Sequence, residues 1–178
     1  MAAEHRLSAA LNVQVLRGAA LFLRGEVGDA IVCLRAGPPP GRTGGVRPLG
    51  FCMLGAALAR QGDHAEALAA ITEALESVEV TGGGTWNIEL HRSHGLVLLA
   101  QNRIPESEAA FGQALQLARR QQAKSWELRA ATSLARLWGE QGRRHEGRDL
   151  LAPIYGWFTE GFNTADLKEA KALLEDLT

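Results

Sequence analysis

Aromatic residues and charge bias are scarce in this sequence, and long apolar runs are missing. One Tyr and five Phe in 178 residues, in a chain that is 46% apolar and mostly Ala and Leu, build close-packed helices more readily than sheets. A formal charge of −1 gives no bulk attraction to nucleic acid or to an anionic lipid surface, so neither is expected as a partner. No segment approaches the roughly eighteen uninterrupted apolar residues of a membrane span. Glu4, His5 and Arg6 are not followed by the apolar run of a signal peptide. The two cysteines, Cys33 and Cys52, lie in apolar helical stretches and read as buried free thiols of a reduced, cytoplasmic compartment, with a disulfide as the alternative. No G-x-x-x-x-G-K-[ST] phosphate loop occurs. Ser8, Ser77, Ser93, Ser107, Ser125 and Ser133 lack a nucleophile-elbow context.

What the chain does contain is a forty-residue repeat. Gly55, Gly95 and Ala135 are each forty positions apart, and residues 55–75 lie over 95–115 without a gap, with eight identities in twenty-one positions. Self-similarity at a period of about 20 to 50 residues marks a solenoid, an architecture that commonly works by binding. Each unit reads as two antiparallel helices. Phe51, Leu54 and Leu58 recur at i, i+3, i+7 over 47–61, and Gly62-Asp63 ends that helix and opens the next, with Ala67, Ile71, Ala74, Leu75 and Val78 inward. The third unit runs over 86–101 and 105–122, with Asn102 at the left-handed turn position and Pro105 in the first turn. The fourth runs over 124–141 and 144–158 around Gly142; a weaker first unit runs over 8–24 and 26–36 around Gly25.

Small residues stand twelve positions apart in every unit: Gly18 with Ala30, Gly55 with Ala67, Gly95 with Ser107, Ala135 with Gly147. Such pairs let helix axes approach to about 8 Å. Trp86 and Trp126, also forty apart, open the first helices and read as packing anchors, with ligand stacking as the alternative. A last helix carries Leu167, Ala170, Leu174 and Leu177 as one stripe, with Lys168, Glu169, Lys171, Glu175 and Asp176 largely on the watered side; Thr164 is its expected cap. It is expected to close the array. No such cap is expected ahead of the hairpin that Leu11, Val15 and Phe22 start, so that end is expected to be adhesive, through upstream repeats or self-association.

Phe51-x2-Leu54-Gly55-x2-Leu58 followed by Ala67-x3-Ile71-x2-Ala74 resembles the tetratricopeptide pattern, whose usual period is thirty-four. The stretch 118–177, with AKSWELRAATSLARLW, LLAPIYGWFTEGF and TADLKEAKALLEDL, is similar to the last repeats of bacterial multidomain signalling proteins. In those, a class III adenylyl or guanylyl cyclase or a DNA-binding domain precedes a signal-transduction ATPase and a tetratricopeptide-like tail. The resemblance implies that this chain is only the tail, with nucleotide chemistry belonging to domains absent here. It departs at residues 37–45, where three prolines and four glycines stand in place of helix.

Candidate chemistry is thin. His91 and His94 share a helix face, but Glu89 and His64 complete no zinc spacing. Gly82-Gly83-Gly84-Thr85 follows no strand and reads as a turn rather than a phosphate nest. Glu73, Glu76, Glu79, Glu106 and Glu108 read as outward, solvated positions. No catalytic, metal or cofactor site is expected. In a tetratricopeptide-like superhelix the first helices line the concave side. That side reads Leu49, Cys52, Ala56, Ala59, then Glu89, Arg92, Leu96, Leu99, then Arg129, Thr132, Arg136. An apolar floor flanked by Arg92, Arg129 and Arg136 suits an acidic or C-terminal peptide, unless these arginines merely pair with Glu89, Glu127 or Glu140. The expectation is therefore an all-α, right-handed solenoid forming one domain over 1–178, with units 8–37, 47–79, 86–122 and 124–158 and a cap over 163–177. It is expected to act as a non-catalytic protein-interaction or regulatory module, or alternatively as a small-molecule or peptide sensor feeding an attached ATPase or cyclase.

Overall fold

The computed structural model describes residues 2–37, 47–81 and 84–178, with side chains over 12–37, 48–77 and 84–178. The described residues form helices and turns, with no strand. In chain order the helices are α1 (Ala2–Leu23), α2 (Val27–Arg35), α3 (Arg47–Gln61), α4 (His64–Thr81), α5 (Trp86–Ala100), α6 (Ile104–Arg120), α7 (Lys124–Glu140), α8 (Arg144–Tyr155) and α9 (Ala165–Asp176). Most of these bounds match the periodicity closely. α1 starts at Ala2 rather than Ser8, because Ala2–Leu7 holds good helix formers and no breaker. α8 stops at Tyr155, just after Pro153, short of Phe158. Apart from Gly37, the Pro/Gly stretch 37–45 lies outside the described residues, as do Gly82 and Gly83 of the glycine turn and the side chains of Val78 and Glu79.

One turn geometry is used five times. Gly25, Gly62, Asn102, Gln122 and Gly142 all have positive φ, from 53° to 98°. At each, two crossed backbone hydrogen bonds close the helix end, as in Gly62 N–H to Ala59 O (3.2 Å) and Asp63 N–H to Leu58 O (2.9 Å). The next helix then starts at once, which folds each pair into a tight antiparallel hairpin. Gln122 uses the same turn between units, from α6 to α7, where the sequence carries no glycine to mark it.

Inside each hairpin the small residues do what their spacing implies. A Cβ built on Gly55 would stand 2.4 Å from Ile71 Cδ1, one on Gly95 2.5 Å from Phe111 Cε1, and one on Gly18 2.6 Å from Leu34 Cγ. The contacting large residue is sixteen positions on in each case, and Leu151 holds the same place relative to Ala135. In that fourth hairpin the glycine is on the other helix, and a Cβ on Gly147 would lie 2.9 Å from the Ala135 carbonyl oxygen. Ser107 completes the Gly95 crossing from the other helix by donating its hydroxyl to Gly95 O at 2.8 Å. A buried polar group at a crossing is thereby satisfied.

Neighbouring hairpins stack: α1 and α2 pack on α3, α4 and α3 on α5, α6 and α5 on α7, and α7 and α8 on α9. Buried apolar residues fall into two clusters, one around Leu58 and Ile71 in the N-terminal half and one around Phe111, Leu134 and Leu151 in the C-terminal half. Trp86 and Trp126 meet edge to face at 5.8 Å, joining the third and fourth units as expected of packing anchors. The N-terminal face differs from expectation by a rotation about α1. Val15 is buried against Gly50, and Phe22 packs on the core, while Val13, Leu16 and Leu23 are the exposed residues. Leu11 lies outside the described side chains.

α9 lies beside α7 where the first helix of a further unit would lie. Leu167, Ala170, Leu173 and Leu177 are buried, and Leu177 sits over Gly139 and Gly147 at the α7–α8 crossing. Leu173 joins the stripe that the sequence places on Leu174, which is only half-buried. α8 closes the far end of α9: Arg144 donates to Asp176 O, and Arg148 donates to Thr178 Oγ1 at 2.8 Å. The cap expected at Thr164 is not a side-chain cap, since its hydroxyl donates back to Gly161 O at 2.8 Å.

Candidate functional site

The side chains of interest lie along α3, α5, α7 and α9, and the forty-residue period sets them in rows. Cys52, Arg92 and Thr132 occupy one register position, Leu49, Glu89 and Arg129 a second, and Ala56, Leu96 and Arg136 a third. α5, α7 and α9 enclose a recess of about 110 Å³ lined by Arg92, Arg129, Thr132, Ser133, Asp166 and Glu169.

Glu89 is the buried anchor of this recess. Only 4% of it is exposed, and its two carboxylate oxygens accept from Arg92 Nη2 at 2.6 Å and Arg92 Nε at 2.9 Å. This bidentate fork fixes the guanidinium plane. Burial opposes the Arg92 charge, but the Glu89 hydrogen bonds outweigh it and lift the pKa above its ordinary value. Arg92 Nη1 reaches Ser133 Oγ at 3.4 Å, tying α5 to α7. Arg129 stands 3.6 Å from Glu89 and 3.5 Å from Asp166, with its guanidinium carbon 5.3 Å from the Trp126 ring centre. Arg136 donates to Glu169 at 2.6 Å, and both are about half exposed.

Of the sequence-predicted residues, Arg92, Arg129 and Thr132 line the recess directly. Glu89 does not face the open side as expected but lies beneath the two arginines, because α5 buries that position against α3 and α7. Thr132 is buried, and its hydroxyl donates to Leu128 O of its own helix. Arg136 reaches the rim through Glu169. Leu96 is 41% exposed and Leu99 packs partly on the core; neither lines the recess. Among the suggested pairings, Glu89 takes Arg92 and Arg129, whereas Glu127 takes Arg119 at 3.1 Å and Lys124 at 2.7 Å. Sequence reasoning missed Ser133, Asp166 and Glu169. Ser133 repeats Ser93 forty residues on, which is the available signal; the helical pattern puts Glu169 facing water and marks Asp166 only as a first-turn anion. Glu108 also departs from a purely solvated role, since it accepts from Arg143 at 2.9 Å and from Trp138 Nε1 at 2.7 Å; the arginine first, and the indole after it, hold its pKa low against the opposing effect of burial.

Cys52 lies buried beside this network. Burial first, then the Glu89 charge, pushes its thiol up to about 12, so it stays protonated and unreactive at neutral pH. Both cysteines are free thiols. His94 is held neutral, its pKa lowered by burial and then by Arg103. Among the described residues, no group of three His, Cys, Asp or Glu side chains is placed to hold a metal ion, and no helix is long and apolar enough to cross a membrane.

Against known proteins, a tetratricopeptide repeat family model matches residues 51–120. The chain is similar to the crystal structure of a Podosopora anserina protein described as a putative kinesin light chain with nearly identical TPR-like repeats. They share 14% identity at a TM-score of 0.72, over 96% of this chain and 86% of that one. A point-substituted form of the same protein gives 15% identity and a TM-score of 0.73, over 96% and 85%. No curated protein matches the sequence. The fold is thus a tetratricopeptide-like helical-hairpin solenoid.

Proposed function

We propose that this chain is a non-catalytic protein-interaction module that takes an acidic or C-terminal peptide on the α5–α7–α9 side. Tetratricopeptide repeats generally act by binding other proteins. The observation that carries the more specific reading is the recess lined by Arg92 and Arg129, with Arg136 at its rim. Arg92 is rigidly oriented by Glu89, while Arg129 and Arg136 keep a third to a half of their side chains in solvent. A fixed fork beside two accessible guanidiniums suits carboxylate recognition. The test is a fluorescence-polarisation panel of acidic peptides with free or amidated C-termini. Arg129→Gln/Arg136→Gln should weaken the best peptide at least tenfold with unchanged helicity. Equal affinity in the double variant would remove the site.

The resemblance of residues 118–177 supports placing this module as the tail of a cyclase- or ATPase-containing signalling protein, and the two free thiols are in keeping with a cytoplasmic setting. A second contact surface is favoured by α1. Val13 is exposed, whereas its register equivalents Gly50, Leu90 and Ala130 are buried under the preceding hairpin. In the isolated chain that surface takes a second copy. Sedimentation velocity should show a concentration-dependent dimer that Leu16→Asp abolishes; a monomer at every concentration would rule this out.

A further inference from the structure

The arginine recess already holds carboxylates. Arg129 stands 3.5 Å from Asp166 and Arg136 donates to Glu169 at 2.6 Å, and both acids belong to α9. With Glu89 included, three arginines face three carboxylates, so the recess carries no net charge to offer a ligand. The two α9 acids differ from Glu89 in kind. Glu89 is buried and bidentate, and removing it would leave Arg92 uncompensated. Asp166 and Glu169 keep 43% and 57% of their side chains in solvent. Neither is needed to seat α9, whose apolar stripe and Arg144 and Arg148 contacts hold it to α7 and α8 independently.

We infer that Asp166 and Glu169 are a resident competitor: they occupy Arg129 and Arg136 in the free protein and are exchanged for the carboxylates of an acidic peptide, while α9 stays docked. This rests on the peptide reading above and adds a threshold to it. An exposed ion pair holds against water by no more than about a factor of five. Two such pairs therefore lower the affinity for an incoming acidic segment by up to about thirtyfold, and a ligand must out-compete both to bind. A peptide with one acid displaces one pair and gains little. A run of acids displaces both, so the recess favours acid-dense segments over single carboxylates.

The test titrates fluorescein-labelled hexaglutamate into the full chain at low salt. Four proteins are compared: wild type, Asp166→Asn/Glu169→Gln, Glu169→Gln alone, and Glu160→Gln/Glu175→Gln, which removes two acids elsewhere on the surface. The first variant should bind about threefold to thirtyfold more tightly than wild type, Glu169→Gln should fall between them, and the control should stay within about twofold of wild type. Circular dichroism of each protein should show unchanged helicity. If wild type binds and the Asp166/Glu169 variant binds no better than the Glu160/Glu175 control, the competitor is overturned while the peptide site stands. If no protein binds hexaglutamate, including the variant with both acids removed, the competitor and the acidic-peptide reading fall together.

Discussion

At the scale of single residues, the repeat is held by what its glycines leave out. Gly95 has no Cβ because the Phe111 ring lies where one would be, 2.5 Å away. Gly95→Ala should therefore cost about 1–3 kcal/mol by overpacking. Gly112, in the middle of α6 with nothing within 4 Å of a built Cβ, should behave oppositely, and Gly112→Ala should stabilise by about 0.5–1 kcal/mol. Urea denaturation of both variants checks the pair, and a Gly95→Ala chain as stable as wild type would break the crossing assignment. Gln122 is strained in the reverse sense: with φ at 53° it adopts a backbone that costs an L-residue about 1 kcal/mol. Gln122→Gly should recover about 0.5 kcal/mol after its own entropy cost, against a similar loss for Gly142→Ala at the equivalent turn, where φ is 81°. These sites are unequally legible. The twelve-residue pairs can be read directly, because a recurring small residue at fixed spacing has few other causes. At Gln122 the break between units can be read but its left-handed turn cannot, since Gln carries no turn signal.

Among elements, α9 continues the period at the position of a first helix, forty residues on from α7. Its apolar stripe is visible in the sequence, and with it the capping role. Its rotation against α7 is legible only through the forty-residue period, which places Leu167, Ala170 and Leu177 on the buried positions of Glu127, Ala130 and Leu137, and Glu169 on that of Arg129. The apolar stripe of α9 taken without that period puts Glu169 in water, whereas the fold pairs it with Arg136. The cap nonetheless rests on apolar contact. Leu177 is 4% exposed over the glycines of the α7–α8 crossing, and Leu177→Ala should cost about 2–3 kcal/mol. Glu175→Gln, on the exposed side, should shift stability by less than about 0.5 kcal/mol. Deleting residues 164–178 should uncover the α7–α8 crossing, lower the melting temperature and promote aggregation, as light scattering would record. A truncated chain that stays monomeric and melts with wild type would make α9 a loose tail.

For the whole molecule, stability should fall on acidification in two steps, and the signs follow from the shifted groups. His94 has its pKa lowered from 6.5 by burial and Arg103, so the unfolded chain binds this proton more readily. Its contribution is present above pH 6.5 and is lost as pH falls through its folded value. Glu127 is lowered from 4.5: burial opposes its charge, but hydrogen bonds from Lys124 and Arg119 outweigh it. Its contribution is present above pH 4.5 and is lost as pH falls through the folded value. Melting temperatures followed by circular dichroism from about pH 8 to 3 should show both declines. His94→Gln should flatten the upper one and Glu127→Gln the lower; a melting temperature independent of pH over that span would contradict both assignments.

The central claim is that the α5–α7–α9 side is where this solenoid meets a carboxylate-bearing partner, and chemical-shift mapping of the arginine side chains tests it most directly. In a ¹⁵N–¹H spectrum of the full chain titrated with hexaglutamate, the Nε–H signals of Arg129 and Arg136 should move progressively. Arg92 Nε–H, held at 2.9 Å by Glu89, should move less, and Arg35 on α2 and Arg143 in the turn before α8 should stay near their starting positions. Movement of Arg35 and Arg143 with Arg129 and Arg136 unchanged would place any acidic contact on the other side of the molecule and contradict the account.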